Sequence, residues 1–332
     1  MPLNETKPTI LVARQIFPEG IARLGEFAYI DYHDQALAMS AAELAHRLQG
    51  IDGALVTGSE RVDSQALAHA QQLKIVSNIA VGYNNFDISA LTQKAIMATN
   101  TPDVLTETTA DMGFMLLMAA ARRLAESEHW LRAGHWKNWS LDGMLGVDVH
   151  HSKIGIFGMG RIGQAIAKRA RAFAMEVVYH NRTRLDPLLE TEYQASYVSK
   201  EELLRTADHV VLVMPYTPEN HHYIDTKELL MMKKTATLVN IARGGIVNDE
   251  ALAIALENRT IFAAGLDVYE GEPKLNSKLL GVPNVVLAPH IGSATKSTRL
   301  AMMHLAIDNL IAGLSNQKPA NLINPEVFSL RS

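Results

Sequence analysis

Short apolar, β-branched runs alternate along the chain with longer segments whose apolar residues recur at helical spacing, the pattern of βαβ units building a parallel sheet. In the first third the runs are Thr9 to Ala13 (TILVA), Gly53 to Thr57 (GALVT) and Lys74 to Ser77 (KIVS), with Ala41 to Leu48 a helical connection. A second series starts at Lys153 and reads KIGIF, MEVVY, HVVLVM, ATLVNI, FAAGL and NVVLA, each run ending in Gly, Pro, polar or charged residues. Six strands of this kind predict a complete doubly wound sheet. Between the two series the pattern predicts one long helix from about Leu105 to Trp130, acting as a hinge, and then a loop from Gly134 to Gly146. A last helix, Ser293 to Leu314, follows the final strand and is expected to pack back on the first domain, making that domain discontinuous.

Composition narrows the chemistry. The 332 residues are 48% hydrophobic and 20% charged, which suits a globular protein of two domains and excludes disorder as the main state. Lys and Arg number 31 against 35 Asp and Glu, for a net charge of −4 without long runs of one sign, so no nucleic-acid or membrane-surface partner is expected. The absence of cysteine removes disulfides, thiolate metal sites and thiol nucleophiles together. The start of the chain lacks a basic segment followed by an apolar core, and the longest apolar stretch, Met112 to Ala121, is about half of the ~20 residues a membrane span requires. A cytoplasmic protein is the expectation.

Lys153 to Gly163 reads KIGIFGMGRIG, a strand followed by Gly158-x-Gly160-x-x-Gly163 and the helical pattern QAIAKRARAF. This is the context in which glycines form a tight turn, admit a pyrophosphate to the backbone and let the helix pack on its strand, while the helix N-terminus faces the phosphates. About 20 residues further on, a dinucleotide site for NAD(H) places an acid on the ribose 2′-hydroxyl. Here the segment is His180-Asn181-Arg182-Thr183-Arg184. Asn181 can donate to a 2′-phosphate and Arg182 and Arg184 can pair with it, so NADP(H) is preferred, with NAD(H) the alternative. Arg243, after ATLVNI, Glu272, after FAAGL, and His290, after NVVLA, stand at successive carboxyl ends of strands, where doubly wound sheets bind ligands. A guanidinium suits a carboxylate or an α-keto acid, and a histidine with a carboxylate partner is the usual general acid near neutral pH.

The blocks IAVGYNNFD (79–87), LTETTAD (105–111), GVDVHHSKIGIFGMGRIGQAIAKRA (146–170), VNIARGGIVNDEAL (239–252), AAGLDVYEGEP (263–273) and APHIGSAT (288–295) make the sequence resemble the D-isomer-specific 2-hydroxyacid dehydrogenases over nearly its whole length. LTETTAD, GVDVHH and PHIGSAT together are most similar to the bacterial glyoxylate/hydroxypyruvate reductase B branch, also described as 2-ketogluconate reductases. The resemblance implies two Rossmann-like α/β domains with a crevice between them: a substrate-binding domain of residues 1–102 plus 296–332 and a dinucleotide-binding domain of residues 103–295. It implies reduction of a 2-keto acid such as glyoxylate, hydroxypyruvate or 2-keto-D-gluconate. Arg243 would bind the substrate carboxylate and carbonyl, Glu272 would favour the protonated form of His290, and His290 would transfer the proton. The backbone N–H groups of Val81 and Gly82 would hold the carboxylate from the first domain. Thr108, Arg161, Ile162, Met214, Pro215, Ile241, Ala242, Asp267 and Gly292 would join the glycines around the cofactor, with Asp267 on the nicotinamide carboxamide. A homodimer is also implied. Asn220 departs from the family's more frequent Thr, which puts one cofactor-side contact in doubt.

Two further readings stay open: an NAD(H)-dependent dehydrogenase of another substrate class, and a dinucleotide-sensing corepressor-like protein without activity. The pairs His150-His151 and His221-His222 are not expected to hold a metal, since adjacent residues seldom converge on one ion and no acidic cluster accompanies them in sequence. Met112, Met115 and Met118, at helical spacing, are expected to be core packing. Trp136 and Trp139 are read either as caps of the substrate crevice or as core or dimer packing.

Overall fold

The computed structural model describes residues 7–329, and the chain divides into two compact units, one formed by the residues up to Leu105 with those from Thr295 onward, the other by Thr106–Ala294. The first unit opens with β1 (Thr9–Val12), α1 (Pro18–Phe27), β2 (Tyr29–Tyr32), α2 (Ala41–Arg47), β3 (Gly53–Val56), β4 (Ile75–Asn78), α3 (Ile88–Gln93) and β5 (Met97–Thr99). Its five strands are all parallel in the order β2-β1-β3-β4-β5, the other common doubly wound arrangement. The three runs legible in the sequence occupy the three central positions, where a strand is covered on both faces and reads as an unbroken apolar stretch. The helices start where short polar side chains close the first turn: Ser40 accepts from the Glu43 N–H and Asp87 from the Ala90 N–H.

The second unit contains α4 (Thr106–Ala121), α5 (Leu124–Arg132), β6 (Lys153–Phe157), α6 (Arg161–Ala172), β7 (Glu176–His180), α7 (Pro187–Tyr193), β8 (Ala195–Tyr197), α8 (Lys200–Thr206), β9 (His209–Leu212), α9 (Thr226–Met231), β10 (Thr237–Asn240), α10 (Asp249–Glu257), β11 (Ala263–Leu266), α11 (Ser277–Gly281) and β12 (Val285–Leu287). Seven parallel strands, one more than the six expected, lie in the order β12-β11-β10-β9-β6-β7-β8. The additional strand, β8, has three residues and lies at an edge. The order reverses between β6 and β9, which is where such sheets open a ligand crevice at their carboxyl ends.

The single helix expected from Leu105 to Trp130 is two helices. It breaks at Arg122 and Arg123, where Arg123 takes the left-handed conformation, φ +53°, and its guanidinium forks onto Glu126 at 2.7 and 2.9 Å. The methionine stripe is likewise corrected: Met112 is buried, with Phe114, Leu116 and Leu117, against Ile154, Ile156 and Val239, but Met115 and Met118 are 52% and 38% exposed. Trp136 and Trp139 are not core residues either, being 58% and 74% exposed.

The chain then returns to the first unit as α12 (Lys296–Leu314) and α13 (Glu326–Ser329). Met303, Ala306, Ile307 and Leu310 of α12 are buried with Ile10, Val12 and Ile75 of the first sheet, and the Ser77 hydroxyl donates to the Ala306 carbonyl at 2.8 Å. Among the described residues no helix is long and apolar enough to cross a membrane.

Candidate active site

Because all seven strands run the same way, their carboxyl ends share one edge of the second sheet. From β7 toward β12 that edge carries Asn181, the Gly158 turn, Met214 and Pro215, Ile241 to Arg243, Asp267, and His290. The candidate cofactor and catalytic residues of this unit therefore stand in one spatial order, with the phosphate-type turn at one end and the titratable groups at the other.

The glycine turn has the shape a dinucleotide requires. Gly158 adopts φ +100° and a Cβ there would lie 2.6 Å from the Met214 nitrogen, while a Cβ on Gly163 would lie 2.3 Å from the Gly158 carbonyl oxygen. Around Gly160 a Cβ would meet nothing within 4 Å, so the side of the turn where a pyrophosphate approaches is open. Gly160 is the N-cap of α6 and no side chain caps it, so the positive end of this helix faces the turn where an anion would approach.

The end of β7 separates the two arginines. Asn181 Oδ1 accepts from the Met159 N–H at 2.7 Å, which leaves the Asn181 amide N–H₂ to donate outward. Arg184 forks onto Glu190, both bonds at 2.8 Å, and Glu190 also accepts from the Tyr179 hydroxyl. These partners hold the Glu190 carboxyl down to about 2, so Arg184 faces a permanent anion. Arg182 is exposed with no ion pair among the described residues. Asn220, the departure from the family pattern, accepts from the Thr217 N–H at 2.8 Å and donates to the Pro215 carbonyl at 2.7 Å, closing the loop after β9 on itself.

At the other end of the edge, His290 Nδ1 and Glu272 Oε1 are 2.7 Å apart. His290 has φ +54°, a conformation that is uncommon outside glycine and is concentrated at functional sites. Burial alone would raise the Glu272 carboxyl. The hydrogen bond and charge of His290, the Tyr269 N–H at 3.3 Å and the charge of Arg243 outweigh it and hold the carboxyl below the usual range. Arg243 is largely buried and donates through Nη1 to the Ala242 carbonyl at 2.7 Å; desolvation lowers its affinity for the proton, opposed by Glu272. Asp267 accepts from the Ile291 and Gly292 N–H groups, each at 2.7 Å, so it fastens the His290 loop to the end of β11. Burial still raises the Asp267 carboxyl above its ordinary value.

Three residues that sequence reasoning passed over support this arrangement. Asn240 is buried at the end of β10, accepts from the Ala242 N–H and donates to the Arg243 carbonyl, both at 3.1 Å, so it shapes the turn that presents Arg243. The Tyr269 hydroxyl donates to the carbonyls of Ala288 and Leu266, tying the β12 end to β11. Asp249, which burial pushes up to about 6 while the Glu270 N–H opposes the rise, holds the loop between Asp267 and Glu272 through that N–H at 3.0 Å. A polar residue closing an otherwise apolar strand, as in TLVN, was the available signal for the first.

In the first unit Val81 and Gly82 lie in the turn after β4. Asn100 donates to the Val81 carbonyl at 2.7 Å and Asn78 to the Gly82 carbonyl at 3.2 Å, while the N–H groups of both residues donate to no acceptor among the described residues. Thr108 lies in the first turn of α4. The histidine pairs differ from the sequence reading: His221 and His222 do face an acid, Glu270, with His222 Nε2 at 2.9 Å and His221 Nε2 at 3.7 Å from its two oxygens.

Residues 114–292 match the D-isomer specific 2-hydroxyacid dehydrogenase NAD binding domain. The chain is 45% identical to the glyoxylate reductase of Thermococcus onnurineus (strain NA1) over 329 residues, 98% of each chain. Among solved structures it is similar to the TT0316 protein of Thermus thermophilus, with 41% identity, TM-score 0.88, and 95% of this chain and 99% of that one covered. It is also similar to the NADPH-dependent glyoxylate/hydroxypyruvate reductase of Sinorhizobium meliloti in complex with NADP and malonate, with 34% identity, TM-score 0.86, and 96% and 98% covered.

Proposed function

Since the chain belongs to the D-isomer specific 2-hydroxyacid dehydrogenase family, an oxidoreductase family that acts on CH–OH groups and binds a nicotinamide dinucleotide, we propose that it reduces short 2-keto acids, glyoxylate and hydroxypyruvate first and 2-keto-D-gluconate as a further candidate, to D-2-hydroxy acids with NADPH. The observation that carries the reading is the 2.7 Å His290–Glu272 contact on the same sheet edge as the partly buried Arg243. The names of the Thermococcus and Sinorhizobium relatives support this substrate class.

When bound, the nicotinamide supplies the hydride. Arg243 anchors the carboxylate and stabilises the charge developing on the carbonyl oxygen through its partly buried guanidinium. His290, oriented through Nδ1 by Glu272, presents Nε2 to that oxygen and donates the proton, and in the reverse direction removes it. For Val81 and Gly82, in the first unit, the proposed role is to bind a carboxylate through their N–H groups. Gly158, Gly160 and Gly163, with Arg161 and Ile162, hold the pyrophosphate. Thr108, Met214, Pro215, Ile241, Ala242 and Gly292 line the cofactor, and Asp267 receives the carboxamide on lone pairs left beside its two backbone bonds. A homodimer belongs to the same reading, supported by the exposed apolar residues Met115, Met118, Leu131, Trp136, Trp139 and Leu141.

Preference for NADPH rests on Asn181 and Arg182, with Arg184 largely committed to Glu190. A charge-assisted bond contributes about 1.5–3 kcal/mol when well formed and less at an exposed rim, so kcat/KM with glyoxylate should favour NADPH over NADH by about 10- to 100-fold at low salt, less as salt rises. Asn181→Asp with Arg182→Ser should erode or reverse the preference through the cofactor KM, whereas Arg184→Ala should change it less. Equal kcat/KM for the two cofactors in the unaltered protein, measured in the same low-salt buffer, would refute the assignment.

A further inference from the structure

The loop after β9 and the loop after β11 meet at a cluster the reaction does not use. His222 Nε2 lies 2.9 Å from Glu270 Oε2 and His221 Nε2 lies 3.7 Å from Glu270 Oε1, and one ligand atom from each of the three residues falls within 4.8 Å of the others. Adjacent residues in extended backbone point to opposite faces, which is why this pair looks unsuited to one ion. Here His222 has φ +52°, which turns its ring back beside that of His221; the two imidazoles stack with centroids 3.9 Å apart and planes 23° from parallel. The uncommon backbone conformation is what brings the two nitrogens together.

We propose that His221, His222 and Glu270 form a binding site for one divalent transition-metal ion of the Zn²⁺ class. Two imidazoles and a carboxylate are the three-ligand set that zinc takes with water in the remaining position, and the nitrogen ligands disfavour Mg²⁺ and Ca²⁺, which select oxygen. Each ligand is held from behind. The His222 N–H donates to the Gly245 carbonyl at 2.7 Å, and the Glu270 N–H donates to Asp249 at 3.0 Å. His221 Nδ1 lies 3.3 Å from the Tyr216 hydroxyl; donation from Nδ1–H to that oxygen leaves the Nε2 lone pair directed at Glu270. Metal–nitrogen bonds of about 2.0–2.1 Å require the two rings and the carboxylate to close by roughly an ångström, a side-chain adjustment that leaves the backbone bonds intact. The ion would take the place of the His222–Glu270 contact and would clamp the two loops together.

The test is calorimetric titration of untagged, EDTA-dialysed protein with ZnCl₂ and, separately, with MgCl₂, followed by thermal unfolding of the zinc-loaded samples. The proposal predicts one Zn²⁺ per chain, no Mg²⁺ binding at this site, and a rise in Tm with Zn²⁺. His222→Ala and the isosteric Glu270→Gln should each weaken Zn²⁺ binding by roughly tenfold or more and abolish the rise in Tm, while His150→Ala, at the other histidine pair, should change neither. Absence of saturable Zn²⁺ binding, or binding that survives both substitutions undiminished, overturns it. So does loss of binding in His150→Ala.

Discussion

His290→Ala should lower kcat for 2-keto acid reduction by roughly 100-fold or more, the scale of losing a positioned general acid, while the affinity for the dinucleotide changes little. The expectation follows from position. His290 stands at the β12 end, remote in strand order from the glycine turn at β6, so the substitution removes the proton donor without disturbing the phosphate grip. Glu272→Gln provides the complementary result. The Glu272 carboxyl is held below the usual range and is therefore ionised wherever the enzyme would be assayed, so it presents a full negative charge to the ring at 2.7 Å. A neutral amide keeps a hydrogen-bond acceptor at that position but removes the charge. The Gln variant should therefore lose kcat, by less than His290→Ala, with dinucleotide affinity again little changed. A near-wild-type kcat for His290→Ala, measured where chemistry limits turnover, or an unchanged kcat for Glu272→Gln, removes the respective residue from the mechanism.

Arg243→Lys should reduce kcat/KM by roughly 100-fold, with losses in both kcat and KM. The lysine keeps a charge but lacks the planar fork, so it cannot hold a carboxylate and the adjacent carbonyl in one fixed geometry, and small misplacements of a reacting group are costly. It also loses the Nη1 bond to the Ala242 carbonyl that, with Asn240 on the Arg243 carbonyl, sets the direction of the side chain. Steady-state kinetics across glyoxylate concentrations checks this. Full kcat/KM in the Lys variant would exclude bidentate anchoring by Arg243.

The sheet edge that carries the candidate catalytic residues was legible in the sequence because a parallel sheet imposes it. Strands buried on both faces read as apolar runs, and the residues just beyond them must share one side of the sheet, so Arg243, Glu272 and His290 could be grouped from spacing alone. The strands that escaped reading, β2, β5 and β8, all lie at sheet edges and are three or four residues long. β2 and β8 carry polar residues, as in YIDY and ASY, and lose the apolar signature, while β5 is buried but its three residues, MAT, are too few to register as a run. The break between α4 and α5 carries neither Gly nor Pro, and depends on Arg123 finding Glu126. Periodicity recognised the Met112, Met115 and Met118 stripe as helical but could not tell which members a neighbouring element covers. The engagement of Arg184 by Glu190, and the convergence of His221 and His222 on an acid 48 or more residues away in sequence, are set by tertiary geometry that a linear pattern does not contain.

The central claim, that this chain transfers hydride to the carbonyl of a 2-keto acid with His290 supplying the proton, is tested most directly by following NADPH consumption by its absorbance with glyoxylate, hydroxypyruvate and 2-keto-D-gluconate in turn, and by determining the configuration of the products from the latter two. The account predicts catalytic oxidation of NADPH, stoichiometric with the keto acid consumed, that forms D-2-hydroxy acids and collapses in His290→Ala. Cofactor binding without turnover of any 2-keto acid in the panel, with either NADPH or NADH, would contradict it and favour a dinucleotide-sensing role instead.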